Sequence, residues 1–222
     1  MRTKLFTSPL YRFFNRLADL VCVSLLTLAF SIPIITVFAA ITAAHTVVQD
    51  MVFDTEQGIF KKYTAAFRAN FKQSTIAGII MLAAIVVALC NYFWFPTQFS
   101  GSVSTILRVF FGILLCLLLA MASCIYPLIA RYHNPTVQHI KNALILCICA
   151  LPRVLLVTLV NILPFLIFIF NPSFLVYTLV FWTFFGSGII VYLTNLLLKK
   201  PILKIENIIF HFIPDSPNTQ SE

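Results

Sequence analysis

Leu20-Val-Cys-Val-Ser-Leu-Leu-Thr-Leu-Ala-Phe-Ser-Ile-Pro33-Ile-Ile-Thr-Val-Phe-Ala-Ala-Ile-Thr-Ala-Ala-His-Thr-Val-Val-Gln49 is thirty residues without a charge, bracketed by Asp19 and Asp50. As one helix it would be about 45 Å long, against a hydrocarbon core of roughly 30 Å. Pro33 near its middle pushes Ile32 out of the helical region and suits the first turn of a new helix. Two readings follow. One is a single tilted, kinked span from about 17 to 44. The other is a hairpin with arms near 17–31 and 33–51 that returns to its side of origin.

Lysine and arginine placement separates them, because the positive-inside rule gathers these residues on the cytoplasmic face. With one span, the loops split the fifteen basic residues ten to five; with a hairpin the split is fourteen to one, Arg108 standing alone. The hairpin is therefore expected, with both termini cytoplasmic.

The rest of the chain has the same character. Of 222 residues 60% are hydrophobic and 10% charged, well below the roughly 25% charged of a soluble domain. Further uncharged runs cover 73–107, 109–130 and 154–198. The expected fold is all-α: a polytopic helical membrane bundle of five to six hydrophobic helices. It forms a single membrane domain over 1–222, with a broken hairpin at 17–51 and spans at 76–95, 109–130, 154–170 and 174–198. An apolar N-terminal run this long, followed by further spans, does not fit a cleaved signal peptide. A disordered tail is expected at 213–222.

Two segments read as interfacial. Over 56–74, Phe60, Tyr63, Phe67 and Phe71 share one arc while Lys61, Arg68 and Lys72 share another, the pattern of a helix lying in the membrane plane. A solvated loop would leave the four aromatics exposed. Only eleven uncharged residues separate Lys141 from Arg153, so 136–151 is expected as a short helix at or dipping into the interface. Arg12 and Arg16, with Asp19, lie on one face among aromatics at the membrane edge.

The net charge of +8 does not indicate nucleic acid, since the basic residues flank hydrophobic runs where anionic headgroups favour them. The six cysteines all lie in apolar runs without CxxC spacing and read as small buried hydrophobes. No HExxH, intramembrane aspartate pair or Gly-rich phosphate loop is present, so neither an enzyme nor a cofactor or metal site is expected. Gly186-Ser187-Gly188 lies in the last span without a nearby histidine and reads as small residues permitting close helix packing. Arg153 is the residue most open to function: in mid-bilayer it would mark a pathway, and beside Pro152 at the edge it would snorkel to headgroups. Asn91, Asn161 and Asn195 are candidates for interhelical hydrogen bonds. The pairs Ala39/Ala43 and Ala40/Ala44 could seat a helix of this chain or of a partner.

Several stretches together carry a family resemblance. They are Arg12-Phe13-Phe14-Asn15-Arg16-Leu17-Ala18-Asp19-Leu20, Ser31-Ile32-Pro33-Ile34-Ile35-Thr36 with the alanine pairs after it, and Phe67-Arg68-Ala69-Asn70-Phe71-Lys72-Gln73-Ser74. Lys141-Asn142-Ala143-Leu144, Leu151-Pro152-Arg153 and Phe181-Trp182-Thr183-Phe184-Phe185-Gly186 complete the set. In order and spacing the chain resembles the YesL family of small bacterial membrane proteins, whose function is not established. It departs from the family pattern at Phe38, where a glycine is usual, and at Ser24, where an asparagine is common. The resemblance implies a bacterial plasma membrane and proximity to carbohydrate uptake, and no catalytic residues. Pro33, Thr36, Pro152, Arg153 and Gly186 are the candidate structural or functional positions.

The expected function is thus a non-catalytic accessory of carbohydrate uptake. Its expected partners are the lipid bilayer, permease subunits of a sugar ABC transporter and a second copy of the chain. The alternative is a small transporter or channel, alone or as an oligomer, resting on the helix breaks near Pro33 and Pro152.

Overall fold

The computed structural model describes residues 9–53, 58–170, 177 and 180–212. Among them are seven α-helices and no strand: α1 (Pro9–Ser31), α2 (Val37–Phe53), α3 (Ile59–Trp94), α4 (Ser102–Arg131), α5 (Thr136–Cys149), α6 (Leu151–Phe170) and α7 (Ser187–Phe212). Among the described residues four stretches are long and apolar enough to cross a membrane, or five if the bent pair α5–α6 counts as one span. The expected all-α membrane bundle is what the chain forms. The expected disordered tail at 213–222 and part of the 174–198 span lie outside the described residues.

The thirty-residue stretch is a hairpin. Asn15 and Asp19, at the start of α1, line the same cleft as Asp50 and Met51, at the end of α2, so the arms run antiparallel. Leu20 and Val23 share a buried cluster with Ala43, Ala44, Val47 and Val48. The alanines make this close: Ala39, Ala40, Ala43 and Ala44 are all fully buried within the chain's own bundle.

The break is made by Pro33 and closed by Thr36. Pro33 is extended (φ −76°, ψ 120°), and a single 3₁₀ turn over Ile34–Thr36 leads into α2. The Thr36 hydroxyl lies 2.5 Å from the Phe30 carbonyl and 2.6 Å from the Pro33 carbonyl, and the Thr36 N–H donates to Pro33 O at 2.9 Å. In hydrocarbon an unsatisfied carbonyl costs several kcal/mol, so a threonine three residues after the proline stabilises the turn from within. The tip is apolar: Ile32, Ile34 and Ile35 are 79%, 85% and 66% exposed.

The hairpin does not reach the far end of the bundle. Phe38, just past the tip, packs on Gly78 of α3 and stacks on Tyr126 of α4 with ring centroids 6.3 Å apart. Helix α3 runs on from Gly78 to Trp94, about 24 Å further. Exposed large apolar side chains on α3 include Phe60 and Phe71 and then run from Ile76 to Trp94, those on α6 run from Leu151 to Ile169, and those on α1 include Phe14, Leu25 and Leu28. The tip therefore ends short of the Trp94 end of α3.

Two expectations need correction. The 56–74 segment is not a separate helix in the membrane plane. It is the first half of α3, a continuous 36-residue helix of about 54 Å. Half of its aromatic face is taken by the hairpin: Tyr63 is fully buried, its hydroxyl donates to the Ala40 carbonyl at 2.9 Å, and Phe30 sits against both Tyr63 and Phe67, while Phe60 and Phe71 are exposed. Lys61, Arg68 and Lys72 remain exposed. The expected span 109–130 also begins earlier, at Ser102, after Gly101 (φ +66°) turns the chain.

At the opposite end of α4 the chain turns through Tyr132–Pro135 into α5. Helices α5 and α6 meet at 111°, so the short helix expected at 136–151 lies nearly across the direction of α6 and ends at Cys149. The Ala150 carbonyl accepts the N–H groups of Arg153 and Val154, both at 3.0 Å. Pro152 occupies the second position of α6, where no N–H is required.

Thr36→Val should lower stability by about 1–3 kcal/mol, read as a lower Tm of the detergent-purified protein, while Thr36→Ser stays near wild type. A Cβ on residue 78 would overlap the Phe38 ring. Gly78→Ala should therefore destabilise strongly with Phe38 present and much less in the Phe38→Ala background, a non-additivity read from the four Tm values of the cycle.

Candidate functional site

A polar cluster is buried where α2, α4 and α7 meet. Thr42, His45 and Gln49 lie at i, i+3 and i+7 on one face of α2. Asn195 of α7 faces them and is 3% exposed. Its amide nitrogen donates to the Val191 carbonyl at 2.8 Å and contacts His45 Nδ1 at 3.0 Å. With Asn195 as donor, Nδ1 accepts, which places the ring proton on Nε2 and leaves the imidazole neutral. Gln49 Nε2 donates to Asn195 Oδ1 at 3.2 Å and to the Pro127 carbonyl at 2.8 Å.

The same construction repeats around this centre. Asn161 Nδ2 of α6 donates to Thr194 Oγ1 at 3.1 Å and to its own helix at Val157 O. The Gly188 N–H donates to Ser24 Oγ at 2.9 Å, and that hydroxyl donates to the Leu20 carbonyl at 3.0 Å. Tyr63 Oη also lies 3.3 Å from Thr27 Oγ1. Each of these links joins two helices, and each donor is held by an acceptor within the bundle. Such bonds average about 0.6 kcal/mol in membranes; their chief effect is to fix register. They use the polar groups on one another.

At the end of the bundle that carries the chain turns, the hairpin arms and the start of α3 enclose a cleft of about 430 Å³, lined by Asn15, Asp19, Val47, Asp50, Met51, Gly58 and Ile59. Asp50 pairs with Lys62 there. Among the described residues no group of three or more His, Cys, Asp or Glu side chains is placed to hold a metal.

The positions singled out in the sequence distribute unevenly over this frame. Pro33 and Thr36 build the hairpin tip. Pro152 and Arg153 are exposed at the start of α6, away from the central cluster. Gly186 closes a π turn over Trp182–Gly186 and is buried, but the close approach falls two residues later at Gly188, where a Cβ would collide with the Leu20 carbonyl and the Ser24 hydroxyl. Arg16 is exposed on α1, and the Arg12 side chain lies outside the described ones. Of the three asparagines, Asn161 and Asn195 bridge helices, whereas Asn91 bonds only to Val87 of its own helix. Sequence reasoning missed His45 and Gln49, whose signal was a polar stripe inside a run read chiefly for its length.

Residues 20–92, from the hairpin through most of α3, match the model of a family described as a protein of unknown function, DUF624. No curated protein and no solved structure matches the chain.

Asn195→Leu strips partners from His45 and Gln49 together and should cost about 1–3 kcal/mol, while Asn91→Leu should leave Tm almost unchanged. Gly188→Ala should wedge α7 from α1 and lower Tm more than Ser24→Ala, which removes one hydrogen bond without adding volume.

Proposed function

We propose that the protein is a non-catalytic multi-pass component of a bacterial plasma membrane that assists carbohydrate uptake, with both termini cytoplasmic. The observation that carries the non-catalytic part is the pairing of the polar groups in the central cluster. His45, Gln49, Asn161, Asn195 and Tyr63 bond across helices and hold the bundle together, so they serve its architecture. The gathering of fourteen of fifteen basic residues on one side of the hairpin topology supports cytoplasmic termini. The link to carbohydrate uptake, and permease subunits of a sugar ABC transporter as partners, rest on the resemblance of the ordered motifs to the YesL family. Self-association is a further expected contact.

The competing reading, a small transporter or channel, draws on the broken helix at Pro33 and the bend at Ala150, since discontinuous helices often frame substrate sites. Affinity purification after mild detergent extraction from cells grown on the inducing sugar should bring down permease or ATPase subunits. Proteoliposomes holding this protein alone should show no sugar flux above empty vesicles. Flux without partners would overturn the accessory reading, and so would purification with no permease component.

A further inference from the structure

Ser24, Thr27, Thr42, Thr46, Ser123 and Thr158 each donate to the carbonyl four residues back in their own helix. That local bond lets a hydroxyl sit inside a bundle without an outside partner. Ser74 on α3 does not make it. Its hydroxyl is fully buried and has no hydrogen-bond partner among the described residues, and the same holds for the Thr75 hydroxyl beside it. A third unpaired group lies on α5: His139 is 0% exposed, and neither of its ring nitrogens has such a partner. A neutral imidazole donates at one nitrogen and accepts at the other, so both of its functions go unmet by protein groups.

Ser74 and His139 lie on one seam. Next to Ser74, the Gln73 amide reaches across to donate to the Asn134 carbonyl, and the His139 ring stands beside the backbone of the same Asn134. Ser74 shares its face of α3 with Ala77 and Met81, at i+3 and i+7, and His139 shares its face of α5 with Ala143 and Leu146, at i+4 and i+7. Those four apolar residues belong to one buried cluster. The two faces therefore meet, with Ser74 and His139 at the end marked by the Gln73–Asn134 link. Thr75, one residue further round the helix, shares its face with Gly78, which meets Phe38 instead.

We propose that His139 and Ser74 form a binding site for one ordered water, which bridges the imidazole to the hydroxyl and joins α3 to α5. The two groups do not bond each other directly, and a shared water spans a gap that a direct bond cannot. Full burial of both residues limits the occupant to a molecule of that size. Water both donates and accepts, so it serves the imidazole in either tautomer and the hydroxyl in either role. The Asn134 carbonyl keeps a second lone pair beyond the one Gln73 uses, which gives the water a third partner, about the usual number for a buried one.

High-resolution density of the purified full chain should show a water within hydrogen-bond distance of a His139 ring nitrogen and of Ser74 Oγ. Thermal unfolding supplies an independent reading. Ser74→Ala removes a single oxygen and should lower Tm. The drop should be smaller in the His139→Leu background, because either change alone already breaks the bridge. Thr75→Val, a comparable loss on the neighbouring face, should combine additively with His139→Leu. Were the groups buried dry, Ser74→Ala would delete an unpaired hydroxyl and raise Tm. Should His139→Leu not fold, the density and the sign of the Ser74→Ala shift decide. A raised Tm in Ser74→Ala, additivity between Ser74→Ala and His139→Leu, or density showing a direct bond or no water between the two side chains would overturn the proposal.

Discussion

A helix that breaks inside hydrocarbon exposes carbonyls that no water can reach, and the chain must satisfy them itself or not break there. Thr36 does this for the turn at Pro33 by placing one hydroxyl between the carbonyls of Phe30 and Pro33. The proline alone would only kink the helix; proline and threonine together let it reverse. Everything else in the bundle depends on that reversal. Because α2 comes back, α3 starts at the same end as α1, and the order of all later helices follows.

The returning arm is also what gives the bundle its centre. Helix α2 contributes Tyr63's acceptor at Ala40, the His45–Asn195 contact, the Gln49 bridge to Pro127 and the Phe53 platform for Arg131 and Lys199. Its alanines let neighbouring backbones approach, so side-chain bonds reach main-chain carbonyls on other helices. Phe38 sets the depth of the hairpin by filling the notch at Gly78 against Tyr126. A larger residue at 78 and an aromatic at 38 are mutually exclusive in this packing.

The fold class and the hairpin were legible because they rest on quantities the chain displays openly: lengths of uncharged runs, a proline, and the placement of lysine and arginine. The role of Thr36 in the turn was marked only as a candidate, since its chemistry depends on a carbonyl six residues back. The first half of α3 misled for a physical reason. An aromatic face opposite a basic stripe suits a helix on a membrane surface and equally one leaning on another helix at the interface, and periodicity cannot distinguish lipid from protein as the apolar neighbour. The central cluster was half-visible: Asn161 and Asn195 stood out as polar residues in spans, but their partners on α2 are distant in sequence, and pairing across 146 to 150 residues leaves no local pattern. Arg153 drew attention by its position in a hydrophobic stretch, and it is exposed at the start of α6 among exposed leucines.

The reversal at Pro33 is tested most directly by cysteine accessibility in intact cells. Lys61→Cys and Ser100→Cys are placed singly in a cysteine-free background and labelled with a membrane-impermeant maleimide, alongside an N-terminal tag probed from both sides. The hairpin predicts that residue 61 shares the side of the N-terminus and that residue 100 lies opposite. Labelling of residue 61 from the side opposite the N-terminus would mean that the first stretch crosses the membrane once, and would contradict it.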